Sequence, residues 1–178
     1  IHNNIIGCIV EDAKCNLWIG TNDGISYYDA VKQRYETITS ADGLASNDIK
    51  DIYVDPHNGT AFVGSQLGGL AIIRQHPRRV KSVVISEISP DANSVYAILP
   101  YKNNRELLLG TLNGLKCFDI LSQKITSPKV SFSAPLTSEQ RKIRALHRDH
   151  DGRLWVGTEG GLFVLRPTAK GFRQLFPA

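Results

Sequence analysis

The chain has 178 residues, 42% of them apolar, and a formal net charge of +4, which suits a single soluble domain with an ordinary core. The charge is small for this length and its basic residues are scattered, apart from Arg74, His76, Arg78, Arg79 and Lys81; no stacking aromatics interleave with that run, so nucleic-acid binding is not expected. Three cysteines, Cys8, Cys15 and Cys117, are too few and too irregular for a disulfide framework or a zinc site, although a Cys8–Cys15 pair stays open.

The first predicted element is Asn4-x-Ile6-x-x-Ile9-x-x-Asp12, a strand whose apolar spacing of three occupies both faces and predicts burial on both sides. Asp12 opens a turn, since a short carboxylate accepts hydrogen bonds from the backbone just beyond it. Then comes Leu17-Trp18-Ile19-Gly20-Thr21-Asn22-Asp23-Gly24-Ile25, an apolar run broken by small residues and resumed, which predicts two antiparallel strands and a tight hairpin. The third strand covers 25–29 and a weaker fourth covers 35–38.

A turn-rich bridge over 40–46 leads to the same order of elements. Asn47, Ile49, Ile52 and Asp55 open the second unit, and its hairpin, Ala61 to Leu70, carries one extra turn residue. In the third unit Asn93, Val95 and Ile98 precede Tyr101 in the acidic position, the hairpin runs from Leu107 to Leu115, and the outer strand is expected within 125–132. The stretch 122–141 carries Pro128 and Pro135 and predicts an extended, exposed excursion. The fourth unit has Arg141, Ile143, Leu146 and Asp149, the turn Asp149-His150-Asp151-Gly152, a hairpin from Leu154 to Leu162 and an outer strand over 172–176. Cys15 stands where Gly152 sits, a departure that leaves the geometry of the first turn open. No stretch has a sustained helical period; 138–146 comes nearest, and its end reads as strand. There is no signal peptide and no run of 18 apolar residues.

Gly20, Gly64, Gly110 and Gly157 recur at intervals of 44, 46 and 47 residues. A period of about 40 to 50 residues is that of a propeller blade. The predicted fold is all-β: one propeller segment over 1–178, built of four four-stranded antiparallel blades at 1–39, 40–88, 89–133 and 134–178.

The phrase Asp-x-x-Gly-x-Leu-Trp-Val-Gly-Thr-x-x-Gly-Leu, with Asp42-Gly43-Leu44 and Asn47 after the first copy, resembles the two-component-regulator propeller repeat. That resemblance implies a segment of a seven-bladed periplasmic propeller, in the sensor region of a hybrid two-component protein anchored in the inner membrane. It further implies an oligosaccharide ligand, more blades of the same chain as packing partners, a homodimeric parent with a histidine kinase, and a segment that is itself no enzyme. A fragment is expected over a closed four-bladed ring, since terminal repeats need a cap or closure.

Trp18 and Trp155 share a slot with Phe62 and Leu108, so bulk and apolarity rather than an indole are expected to matter there. Thr21, Ser65, Thr111 and Thr158 are expected to satisfy hairpin backbone groups. His147, His150, Asp149 and Asp151 read as an exposed turn rather than a metal site, and neither catalytic nor metal-binding residues, nor a cofactor, are predicted. Propeller geometry instead gathers candidate ligand-binding residues on the hairpin face: Asn22, Asp23, Asp42, Asn47, Gln66, Asn93, Asn113 and Glu159. Two rivals remain, a streptogramin-lyase-like enzyme, for which His147 and Glu159 lack a matching second histidine, and a purely structural interaction module.

Overall fold

The computed structural model describes residues 3–75, 77–169 and 171–175, so His2, His76 and Phe176 lie outside the described residues. The chain divides into two compact units, Ile1–Ile98 and Leu99–Ala178.

The first unit holds two antiparallel sheets, each a meander in chain order. One contains β1 (Ile6–Glu11), β2 (Leu17–Thr21), β3 (Gly24–Asp29) and β4 (Arg34–Ile38); the other contains β5 (Ile49–Val54), β6 (Ala61–Ser65), β7 (Gly69–Gln75) and β8 (Arg78–Val83). Their apolar side chains form one core that includes Trp18, Ile25, Ile38, Ile49, Val63 and Ile73. The unit ends inside β9 (Val95–Tyr101), the first strand of a third sheet whose other members are β10 (Glu106–Thr111), β11 (Gly114–Asp119) and β12 (Ile125–Thr126).

The second unit adds β13 (Lys129–Ser131), a one-turn helix α1 (Ser138–Arg141), β14 (Ile143–Arg148), β15 (Leu154–Thr158), β16 (Gly161–Thr168) and β17 (Gly171–Gln174). Leu108, Ile143, Leu154, Val156, Phe163 and Phe172 anchor its core. Successive four-stranded antiparallel meanders of this kind are the blades of a β-propeller, and the chain is all-β as its period implied.

Two details differ from the expectation. The segment 125–132 is not one outer strand: β12 pairs with β11, whereas β13 leaves to pair in parallel with β17, making the fourth sheet five-stranded. Pro128 lies between the two and has no N–H for a ladder, which ends one pairing and frees the chain for the other. The first strand is also not buried on both sides in the first and fourth sheets, whereas no residue of β5 or β9 is exposed. β1 and β14 are largely exposed, whereas β6 is buried at every residue.

A bulge recurs in the first strands. The register slips between Ile6 and Cys8, between Ile49 and Asp51 and between Ile143 and Ala145, so that Cys8, Asp51 and Ala145 stand opposite Gly20, Gly64 and Gly157. These glycines are therefore mid-strand, and the left-handed turn glycines are Gly24, Gly69, Gly114 and Gly161.

Candidate functional site

At the hairpin ends the repeated hydroxyls are consumed by the fold. Thr21 Oγ1 donates to the Gly24 carbonyl at 2.8 Å and accepts from the Asp23 N–H at 3.1 Å. Thr111 and Thr158 make the same pair of bonds, and Ser65 donates to the Gly69 carbonyl. The tips are thus fixed, leaving Asn22 and Asn113 exposed upon them.

The other predicted residues fall into local clusters. Asn47 accepts the Ser40 N–H at 2.7 Å and donates to Asp23 at 3.3 Å, while Asp42 completes a capping box with Thr39, so Asn22, Asp23, Asp42 and Asn47 gather at the first hairpin. Gln66 and Asn93 gather at the second: Gln66 Oε1 accepts from the Tyr96 hydroxyl, and Asn93 accepts the Ile85 N–H at 2.6 Å while donating to the Leu67 carbonyl at 3.0 Å. Asn47 and Asn93, equivalent in the repeat, do the same work of tying a hairpin to the connection that follows its sheet. In the second unit Asn113 and Glu159 sit on separate hairpins. Lys142 and then Arg144 bond the Glu159 carboxylate and hold it below the usual carboxylate range.

The opposite ends of the sheets carry the aspartate turns. Asp12 accepts from the backbone of Lys14 and Asn16, from the Asn16 amide and from the Trp18 indole at 3.3 Å. Burial works to raise its pKa, but the hydrogen bonds from Asn16, Lys14 and Trp18 outweigh it and leave the carboxyl below its ordinary value. Asp149 is bonded by the Trp155 indole at 2.8 Å and by Arg153 at 2.7 Å, and lies well below the usual range for those reasons in that order. The indole is therefore used as a donor, which the bulk-only expectation for this slot missed.

Between the turns of the first two sheets lies a cleft of about 560 Å³, lined by Asp12, Asn16, Tyr27, Asp55, Asn58, Arg74 and Gln75 among others. Gln75 Oε1 accepts from Arg78 Nε at 3.0 Å, but its Nε2 is buried and has no hydrogen-bond partner among the described residues. An unmet buried donor costs about 1–3 kcal/mol, so it marks a place where an acceptor belongs. The Tyr27 hydroxyl, pushed up to about 12 by burial first and then by Asp12 and Asp29, stays protonated. Sequence reasoning assigned no ligand here. Gln75 adjoins the basic run, but nothing in one dimension shows that the end of β7 meets two aspartate turns.

All three cysteines are free, and two of them are held protonated. Burial and then Asp51 push the Cys8 thiol up to about 12; burial and then Glu106, which accepts from Cys117 at 2.8 Å, do the same for Cys117. Among the described residues no group of three or more His, Cys, Asp or Glu is placed to hold a metal ion, and His150 pairs with Asp151 at 3.1 Å. No helix among the described residues is long and apolar enough to cross a membrane.

Residues 1–23 and 138–160 match the family described as two component regulator propeller. No curated protein matches the chain. In fold it is similar to the extracellular domain of BT4673, a candidate hybrid two component system of B. thetaiotaomicron, at a TM-score of 0.78 and 18% identity over 99% of this chain and 23% of that one. It is also similar to the extracellular domain of BT3049 from the same organism, at a TM-score of 0.68 and 18% identity over 97% of this chain and 30% of that one. A catalytically inactive variant of virginiamycin B lyase from Staphylococcus aureus, solved with quinupristin, gives a TM-score of 0.74 and 15% identity over 100% of this chain and 58% of that one. The chain spans less than a third of the length of the two extracellular domains.

Proposed function

From a chain that carries repeats of the two component regulator propeller, we propose a non-enzymatic, ligand-recognising segment of the periplasmic sensor region of a hybrid two-component protein. Its ligand is a carbohydrate. The parent is a homodimeric sensor histidine kinase anchored in the inner membrane, and further blades of the same chain pack against this segment. Ligand binding would shift how the sensor regions associate, by no more than its differential affinity for the two arrangements.

The observation that carries the carbohydrate reading is the polar cleft of the first unit. Its unmet Gln75 Nε2–H, the protonated Tyr27 hydroxyl and the side chains of Lys14 and Arg74 offer donors side by side, which the oxygens of a polyhydroxylated ring match. Isothermal titration of the 178-residue chain with a panel of neutral oligosaccharides is expected to give saturable heat with at least one. Gln75→Met, which keeps the size and removes the amide, is expected to weaken it about tenfold, as loss of one well-placed hydrogen bond does. No heat across the panel would sink the carbohydrate reading; heat unchanged in Gln75→Met would move the site elsewhere.

A second locus is favoured by the exposure of Asn22 and Asn113 on pinned hairpin tips. In that reading Asp23, Asp42, Asn47, Gln66 and Asn93 contribute in the first unit and Glu159 in the second, and an Asn22→Ala, Asn113→Ala pair would weaken binding where Gln75→Met does not.

A further inference from the structure

We propose that the second unit binds a small apolar carboxylate in the cleft beneath the 127–141 excursion. This cleft, of about 230 Å³, is distinct from both loci above except that Asn113 touches its edge. Leu115 of β11, Phe163 of β16 and, from the excursion, Phe132 and Leu136 give it an apolar lining. Two cations, Lys116 and Arg141, also line it, and no Asp or Glu does.

The charges are available. Lys116 Nζ is bonded to the neutral Ser127 hydroxyl at 2.9 Å, and Arg141 makes no ion pair among the described residues. Glu159, the acid of the neighbouring hairpin, is taken up by Lys142 and Arg144. Each ligand class then meets a different fate. A sugar ring would bury hydroxyls against Phe132 and Phe163 with few partners, which costs free energy. A cation would face two like charges, and an inorganic anion would leave the apolar lining in water. An apolar body ending in a carboxylate satisfies both halves, its hydrocarbon leaving water and its oxygens receiving the paired N–H groups of a guanidinium.

The probe is 3-phenylpropanoate, titrated calorimetrically into the 178-residue chain, with 3-phenylpropanamide as the uncharged comparator. Saturable binding of the acid is expected, at least tenfold weaker for the amide and at least tenfold weaker in an Arg141→Gln, Lys116→Gln variant. Both positions lie at the surface or half-buried, so the variant should melt with the parent, and thermal unfolding checks this. Absence of saturable binding, equal affinity for acid and amide, or equal affinity in a normally folded variant would each overturn the proposal. Because oligosaccharide binding depends on Gln75 in the other unit, either site can fail while the other stands.

Discussion

Trp18 and Trp155 each donate an indole N–H to the aspartate six residues earlier, which itself shapes the turn between the first two strands. Where the aromatic is Phe62, the equivalent Asp55 instead takes the Asn58 amide at 2.8 Å and the His57 N–H at 2.9 Å. Where it is Leu108, Tyr101 replaces the acid and Lys102, Asn103 and Asn104 all turn left-handed. The acid thus keeps shaping the turn whether or not an indole donates to it, and is lost only where the aromatic is lost as well, a relation hidden from a reading of the aromatic column alone. Cys15 answers a question that the sequence left open. Its φ of +63° matches the +70° and +77° of Gly59 and Gly152, so the first turn has the same geometry, imposed on a residue that resists it. Its side chain is exposed, so Cys15→Gly is expected to raise the stability of the chain by about 1 kcal/mol, read as a shifted midpoint in urea unfolding.

Among the elements, the second strand is held to its neighbours by the absence of a side chain. A Cβ on Gly64 would lie 2.8 Å from both Cγ1 and the carbonyl oxygen of Val95, and one on Gly20 would lie 2.7 Å from Cγ2 of Ile49. Backbone must yield, so Gly64→Ala is expected to cost about 1–3 kcal/mol. Gly157 occupies the same place in the fourth sheet, yet its Cβ would meet only Ala145 of its own sheet, at 3.4 Å. Gly157→Ala should stay within about 0.5 kcal/mol of the parent. Equal losses in the two, measured by chemical unfolding, would refute this account of why the glycines recur. Their spacing was the clearest signal in the sequence, although it marks close approach and not the turns. The strand order within a sheet was equally legible, since four hairpins repeat with four flanking strands. The departure of β13 was not, because a three-residue strand beyond Pro128 has no pattern to distinguish which sheet it joins.

For the molecule as a whole, the repeat settled the architecture because each copy confirms the others, whereas a binding site departs from the repeat and has no copies. The hairpin-face residues were chosen for polarity at repeated turns. Several of them, Asp42, Asn47 and Asn93 above all, turn out to be occupied in holding the backbone. The polar cleft rests on the meeting of β7 with two turns, which periodicity cannot convey. Exposed apolar residues give the remaining prediction: Ile5, Ile6 and Ile9 are 64%, 39% and 63% exposed on or beside β1. A cluster of this kind drives association. The 178-residue chain is expected to self-associate with rising concentration in sedimentation velocity, and an Ile5→Thr, Ile9→Thr pair should return it toward the monomer. A monomer at all concentrations would contradict this.

The parallel pairing of β13 with β17 bears on how that association can proceed. A strand's free margin is a template for any other chain, and here the polypeptide masks the outer margin of its last sheet with a short ribbon of its own. Intermolecular strand addition at that border then meets only a three-residue edge, a poor template, which favours sticking there through oily side chains, reversibly, over growing a shared ladder.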